Sequence, residues 1–467
     1  MSWNERYTIW FVLMSLLVCL WEKSSAAWLS SPGSVIVSSS ASAFHRKQRL
    51  NTPLRAHFQQ EGSERTDGKV TTLSGIDRVF CLSDLHCDNT QNLEWIQSKL
   101  DDSDFSKRDL IIVAGDISHD TETFRHTLSV LVEKAQVFFV PGNHEAWIDR
   151  RHKPKSTSFE KLEEVYEACH DLGVYTKSLL VQNDSKHCPC PLWIIPLESW
   201  YDGTLSFNDE LCSGFDKWPW VDFQRCVWPA DYPLGPKGTV QSRLPLGLVE
   251  DFLKRNKPIL QNSPFPSSVD GPEPETIGIM TVSHFLPNKY CLPDWKDLDD
   301  PEFRDEWLDH GAGGMSAKFA LVAGTSLLDQ QIRTLLPAMG ENVDKRLIHV
   351  FGHSHRPKDF EFNHVRYIHN PLGKPRERQM YMVSPDVDFQ LIWDTGKGEI
   401  PGKQIIRLWD EQGGGLEALQ RRMQEHRPRS RYNKHLKYAS SSPPTTSGKT
   451  PGGQNTTSVQ TQESRSR

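Results

Sequence analysis

Long hydrophobic runs, a charge excess of one sign and a dense cysteine framework are all missing from this 467-residue chain. Residues 9–21 are apolar apart from Ser15. That run is shorter than the roughly 20 residues needed to span a bilayer, and suits a signal-peptide core of about 7–15. Ser25-Ala26-Ala27 follows with the small residues that a signal peptidase reads. A net charge of -6 gives no overall basic field, so charge does not point to indiscriminate nucleic-acid binding. The local basic clusters, Arg376/Arg378 and residues 421–437, read as a solvated face and a solvated tail. Nine cysteines in a chain this long do not make a disulfide-dependent scaffold. Loss of the segment holding Cys19 leaves eight, an even count that permits disulfides without requiring them. Cys188-Pro189-Cys190 lacks a second cysteine pair at zinc-site spacing, and Cys81, inside an apolar run, reads as an inert core thiol.

Acidic residues are also absent between Glu22 and Glu61, where serines crowd 30–42 and Arg46, Lys47, Arg49 and Arg55 follow. An acid-poor, serine-rich, basic segment has the composition of an organelle transit peptide. The expected order is a signal peptide over 1–27 and a transit-like presequence or linker over 28–70. Together they resemble the bipartite presequences that carry proteins into complex plastids, and Ala41-Ser42-Ala43-Phe44 looks like their cleavage motif. The alternative is a secreted or lumenal enzyme with a polar linker.

The chain from 71 to 411 reads as one α/β domain. Apolar strand-like runs at 79–82, 110–114 and 137–140 alternate with helical spacing at 92–100, 121–134 and 158–172. Continuous apolar strands between helices predict a sheet covered on both faces. Further strands are expected at 192–195, 277–282, 347–351, 365–368 and 389–392, with a Gly-rich turn at 311–314 and a helix at 327–336. Residues 203–274, rich in Trp, Pro, Gly and Asp apart from a helix near 246–254, read as an irregular insertion beside the site. Residues 412–467 read as a disordered basic and Ser/Thr/Pro-rich tail, with too little apolar surface to offset ordering entropy. No internal repeat is present.

Five short motifs close the apolar runs in order: Asp84-Leu85-His86, Gly115-Asp116, Gly142-Asn143-His144-Glu145, Ser283-His284 and Gly352-His353-Ser354-His355. They supply oxygens from Asp84, Asp116 and Asn143, and imidazoles from His86, His284, His353 and His355. Ligands of open α/β sheets gather at strand carboxyl ends, where these motifs fall. Mixed oxygen and imidazole donors suit manganese, iron or zinc rather than calcium. A lone histidine such as His284 means little by itself, and His349 and His369, within or ending apolar runs, read as packing residues.

The ordered set resembles the calcineurin-like metallophosphoesterase superfamily, most closely its plant and algal calcineurin-like phosphoesterase proteins with Ser-Trp-Tyr-Asp and Pro-Arg-Glu-Arg segments. That resemblance implies a two-sheet β-sandwich flanked by helices. It implies Asp84, His86, Asp116 and His355 on one metal, and a bridging Asp116 with Asn143, His284 and His353 on the other. His144 would contact phosphate and protonate the leaving group after attack by metal-bound hydroxide, which makes His144 and Asp116 the catalytic candidates. The implied activity is hydrolysis of phosphomonoesters or phosphodiesters, on a phosphorylated small molecule or phosphoprotein, with no stable nucleic-acid or membrane partner once the presequence is gone. A non-catalytic scaffold of the same fold and a nuclease are the alternatives. Glu145, Trp200, Tyr201 and Asp202 are read as shaping the substrate, the last three from the cleft rim; Trp200 and Tyr201 could equally cap the core.

Overall fold

The computed structural model describes residues 70–149, 156–184, 190–206, 214–262, 278–293, 317–336 and 346–425. The expected signal peptide, the expected presequence up to residue 69, the expected 311–314 turn and most of the expected tail lie outside the described residues. The chain divides into two compact units, 1–423 and 424–467. Of the second, only Gln424 and Glu425 are described.

The strands are β1 (Thr71–Leu73), β2 (Arg78–Leu82), β3 (Asp109–Ala114), β4 (Gln136–Val140), β5 (Leu179–Val181), β6 (Leu192–Pro196), β7 (Gly278–Val282), β8 (Arg346–Val350), β9 (Lys358–Phe362), β10 (Val365–His369), β11 (Gln390–Asp394) and β12 (Gly398–Glu399). The helices are α1 (Thr90–Asp101), α2 (Thr121–Lys134), α3 (Ser158–Leu172), α4 (Asp222–Arg225), α5 (Leu248–Gln261), α6 (Ser326–Arg333), α7 (Pro375–Gln379), α8 (Leu408–Glu411) and α9 (Gly415–Glu425). None of the described helices is long and apolar enough to cross a membrane.

Two mixed sheets form, ordered β12-β11-β2-β3-β4 and β1-β5-β6-β7-β8-β10-β9. The period-2 alternation of side chains explains their stacking. In β3, Leu110, Ile112 and Ala114 join a core that also holds Met280, Val282, Ile348 and Val350 of the second sheet. Ile111 and Val113 point the other way, onto Ile96 and Leu100 of α1 and Phe124 and Leu128 of α2. The far face of the larger sheet buries Trp193 and Ile195 with Phe252 of α5 and Leu328 and Ile332 of α6. Helix, sheet, sheet and helix thus make four layers. This is the expected two-sheet sandwich flanked by helices, and both sheets bury both faces, as the unbroken apolar runs predict.

Local signals set the helix limits. Thr157 and Glu160 form a capping box at the start of α3, and Gly173 ends it in the left-handed conformation. The insertion expected at 203–274 is packed where described, with Leu205, Phe215, Trp218, Val240 and Leu248 all buried in the outer core beside the larger sheet. One expectation needs correction. The stretch expected to be disordered from 412 carries α9, whose Ala418 is buried.

Candidate metal centre

Parallel strands of both sheets end on one side of the sandwich, and the five motifs leave them there. Asp84 and His86 follow β2, Asp116 follows β3, and Asn143 follows β4 from the smaller sheet. His284 follows β7, and His353 and His355 follow β8 from the larger one. The turns are sharp enough that Asp84, His86, Asp116, His353 and His355 all have positive φ, between 43° and 76°. Each such non-glycine residue costs about 1–3 kcal/mol and persists only when its surroundings hold it. Backbone bonds between loops do so: Asp84 N–H donates to Gly115 O at 3.0 Å, His86 N–H to Asp116 O at 2.9 Å, and Gly352 N–H to His284 O at 2.9 Å. Glycine is required at 115, where φ is +81° and a Cβ would overlap the His284 ring, and at 142, where a Cβ would overlap the Asp116 carboxylate.

Asp84, His86, Asp116 and His355 each offer a donor atom within 4.8 Å of the others, and so do Asp116, His284 and His353. Asp116 belongs to both groups. Its Oδ1 lies 3.4 Å from His284 Nε2, and its Oδ2 lies 4.0 Å from His86 Nε2.

The hydrogen bonds on the outer sides of these rings fix where the lone pairs point. His284 Nδ1–H donates to Ala114 O at 2.9 Å, and His353 Nε2–H donates to Val322 O at 2.9 Å. Their remaining nitrogens, His284 Nε2 and His353 Nδ1, face Asn143 Oδ1 at 3.1 and 3.0 Å. The Asn143 Nδ2 amide group is turned away, donating to Asp222 at 2.9 Å, so three lone-pair atoms converge with no hydrogen among them. In the other group His355 Nδ1–H donates to Glu377 at 2.9 Å, leaving its Nε2 2.7 Å from His86 Nε2. The three acceptors around Asn143 Oδ1 repel one another unless a cation lies between them, and outer partners that fix the tautomer are the usual support of histidine ligands. The donor set fits two metal ions.

The electrostatics lean the same way. Burial pushes Asp116 well above the usual carboxylate range, and the negative charges of Glu145 and Asp84 add to it; a cation would reverse that. Burial holds the His86, His144 and His353 imidazoles well below the ordinary histidine value, and His284 down to about 4. All four are therefore neutral and able to offer lone pairs. Asp84 behaves differently: burial would raise it, but the His369 hydrogen bond and nearby imidazoles hold it well below the usual range.

His144 borders the two clusters. Its Nε2 is 3.8 Å from Asp116 Oδ2, its ring stacks on Trp147 at 3.7 Å, and its Nδ1 is buried without a partner.

Of the two readings of Trp200 and Tyr201, their burial matches the core-capping one. Glu145 is fully buried beneath the loops, where its carboxylate accepts from the backbone N–H groups of Asp116, Ile117, Ser118 and Gly142. Trp200 and Tyr201 are core residues, 3% and 2% exposed, because Phe285 and Trp228 cover the Trp200 ring. Asp202 is half-buried and accepts from Thr204 and Thr325, tying a turn to the start of α6.

Four residues that support the site escaped the sequence reading. His369, read as packing, donates to Asp84 Oδ2 at 2.9 Å. Glu377 orients His355, Trp147 carries His144, and Asp222 orients Asn143. Only Glu377 had a signal, as part of the Pro-Arg-Glu-Arg segment. His349 does keep its packing role, held between Thr281 and Ser283.

A two-sheet sandwich with carboxylate, amide and imidazole donors at its strand ends defines a metallophosphoesterase. Residues 77–222 match the family described as calcineurin-like phosphoesterase, so the chain carries a domain of that family. It is similar to the acyl-carrier-protein phosphodiesterase PptH of Mycobacterium tuberculosis, with 29% identity over 140 residues. That match covers 28% of this chain and 40% of the relative's length. The solved structure titled as the phosphopantetheinyl hydrolase PptH of Mycobacterium tuberculosis gives a TM-score of 0.47 at 20% identity, covering 68% of this chain and 96% of that one.

Proposed function

We propose that this chain is a dinuclear-metal-dependent hydrolase of phosphate esters, with phosphodiesters of small molecules or carrier proteins as the favoured class. The observation that carries the reading is the convergence of carboxylate and imidazole donor atoms into two groups that share Asp116. The phosphodiesterase name of the relative PptH favours diesters. Asp84, His86, Asp116 and His355 would hold one ion, and Asp116, Asn143, His284 and His353 the other. A scaffold that had lost catalysis would have no reason to keep these lone pairs aimed at one another.

Two ions so held would supply positive charge to the phosphoryl oxygens and lower the pKa of water at the site. The protein's own contribution is positional. Asp116 Oδ1 accepts from His144 N–H at 3.0 Å, which fixes the histidine relative to the carboxylate shared by both groups. The Trp147 stack then sets its ring plane. Burial keeps His144 neutral in the free enzyme. A phosphoryl group brings negative charge beside the ring and opposes that depression, so His144 gains its proton with the substrate and returns it to the leaving oxygen.

Manganese-loaded protein assayed on bis-nitrophenyl and dialkyl phosphates tests the proposal, with activity expected to vanish on chelation. Proton donation by histidine is worth about 10²–10⁴-fold. His144→Ala should lose about that much on esters with alkyl leaving groups and far less on nitrophenyl leaving groups, with metal content retained. Equal losses on both would assign His144 to phosphate positioning instead.

A further inference from the structure

The carboxylate of Asp222 is 2% exposed and receives four hydrogen bonds. Asn143 Nδ2 donates to its Oδ1 at 2.9 Å and Trp147 Nε1 at 2.7 Å, while Tyr201 Oη donates to its Oδ2 at 3.1 Å and Trp220 Nε1 at 2.9 Å. A carboxylate has about four lone-pair sites, so this one is saturated. Burial pushes its carboxyl above the usual range, but the four donors oppose that, because a neutral carboxyl would set its own hydrogen against one of them.

An asparagine amide can turn over at almost no steric cost, exchanging its oxygen for its nitrogen. With its oxygen toward His284 and His353, Asn143 offers a lone pair; turned over, it would present two hydrogens to the same place. Asp222 is the group that decides, because an anion accepts from the nitrogen and repels the oxygen. The same oxygen that takes Asn143 Nδ2 also takes Trp147 Nε1, and Trp147 lies under His144. One side chain thus sets both the amide and the stacking platform.

We propose that Asp222 is a positioning residue that makes Asn143 a metal ligand, by locking its amide with the oxygen toward His284 and His353. The proposal rests on the two-ion reading above. Asp222 starts α4 within 203–274, so the stretch read as an insertion completes the second ion's site. In Asp222→Asn, the new amide has one oxygen for four donors, and its nitrogen draws the Asn143 oxygen away from the two histidines. The second ion should be lost while the ion held by Asp84, His86 and His355 remains.

Manganese titration with metal analysis of the full chain tests this. Wild type should bind two ions per chain. Asp222→Asn should bind one tightly and the second at least tenfold more weakly. Exchanging the two groups, Asn143→Asp with Asp222→Asn, keeps a ligand oxygen toward the metals and a donor–acceptor pair behind it. It should restore two ions per chain, which a merely structural role for Asp222 would not predict. Should Asp222→Asn alone fail to fold, the exchange decides: two ions support the proposal and one ion overturns it. Wild type and Asp222→Asn both binding two ions with equal affinity overturns the role of Asp222 alone. Wild type that binds fewer than two overturns the metal reading, and this proposal with it.

Discussion

His349 shows how a buried imidazole can matter without touching the chemistry. It is fully buried between Thr281 Oγ1, 2.8 Å from Nδ1, and Ser283 Oγ, 3.2 Å from Nε2. Burial lowers its pKa to about 3, whereas in the unfolded chain it titrates near 6.5. Below that pH the unfolded state binds the extra proton, so stability is full above about 6.5 and falls as pH drops toward 3. Each pH unit in that window is worth up to about 1.4 kcal/mol. His349→Gln removes the titration and keeps polar atoms for both hydroxyls. In urea unfolding between pH 7.5 and 5.0, wild type should lose about 2 kcal/mol more than this variant. Equal losses would show that His349 carries no proton linkage. All seven proposed donors were legible in the sequence because each sits in a short motif closing an apolar run. Asp222, Trp147 and His369 were not, because their roles come from contacts across the fold. Asp222 lies 79 positions from Asn143, and His369 ends a strand whose neighbours are all buried.

Strands were the easier elements to read, and the turns after them carry the strain. The runs at 110–114 and 137–140 appear within one residue as β3 and β4, and 121–134 and 158–172 match α2 and α3. β9 was missed because Lys358, Asp359 and Glu361 break its apolar pattern. Lys358 and Asp359 are nevertheless buried, and the Arg366 guanidinium makes a paired contact with Asp359 at 2.8 and 3.0 Å. Glu145 is the brace between the turns after β3 and β4, since its four backbone donors come from both. Burial pushes its carboxyl up, but the four bonds oppose that and need the anion. Glu145→Gln keeps the shape but faces backbone N–H groups with an amide nitrogen. Leaving one or two of them unpaired should cost about 1–3 kcal/mol each. A thermal melt should show the loss, together with weaker metal retention, because Asp116 is one of the residues whose N–H the brace holds. An unchanged melting temperature would remove Glu145 from this role.

At the scale of the whole molecule, the two stacked sheets bring together residues as far apart as Asp84 and His355. Neither sheet holds a full ligand set alone: Asp84, His86, Asp116 and Asn143 come from the smaller one, and His284, His353 and His355 from the larger. The fold class and the proposed ligand inventory could be read from strand-and-motif order. The packing of 203–206 and 214–262 around the site could not, because their aromatic residues follow no period. The account stands or falls on Asp116, the side chain common to both groups. The most direct measurement is metal content per chain, taken with turnover on one phosphodiester, for wild type and Asp116→Asn. Two ions per chain in wild type, with content and turnover falling together in the variant, is the predicted result. A variant that holds two ions and turns over at the wild-type rate, or a wild-type enzyme fully active with one ion or none, would contradict it.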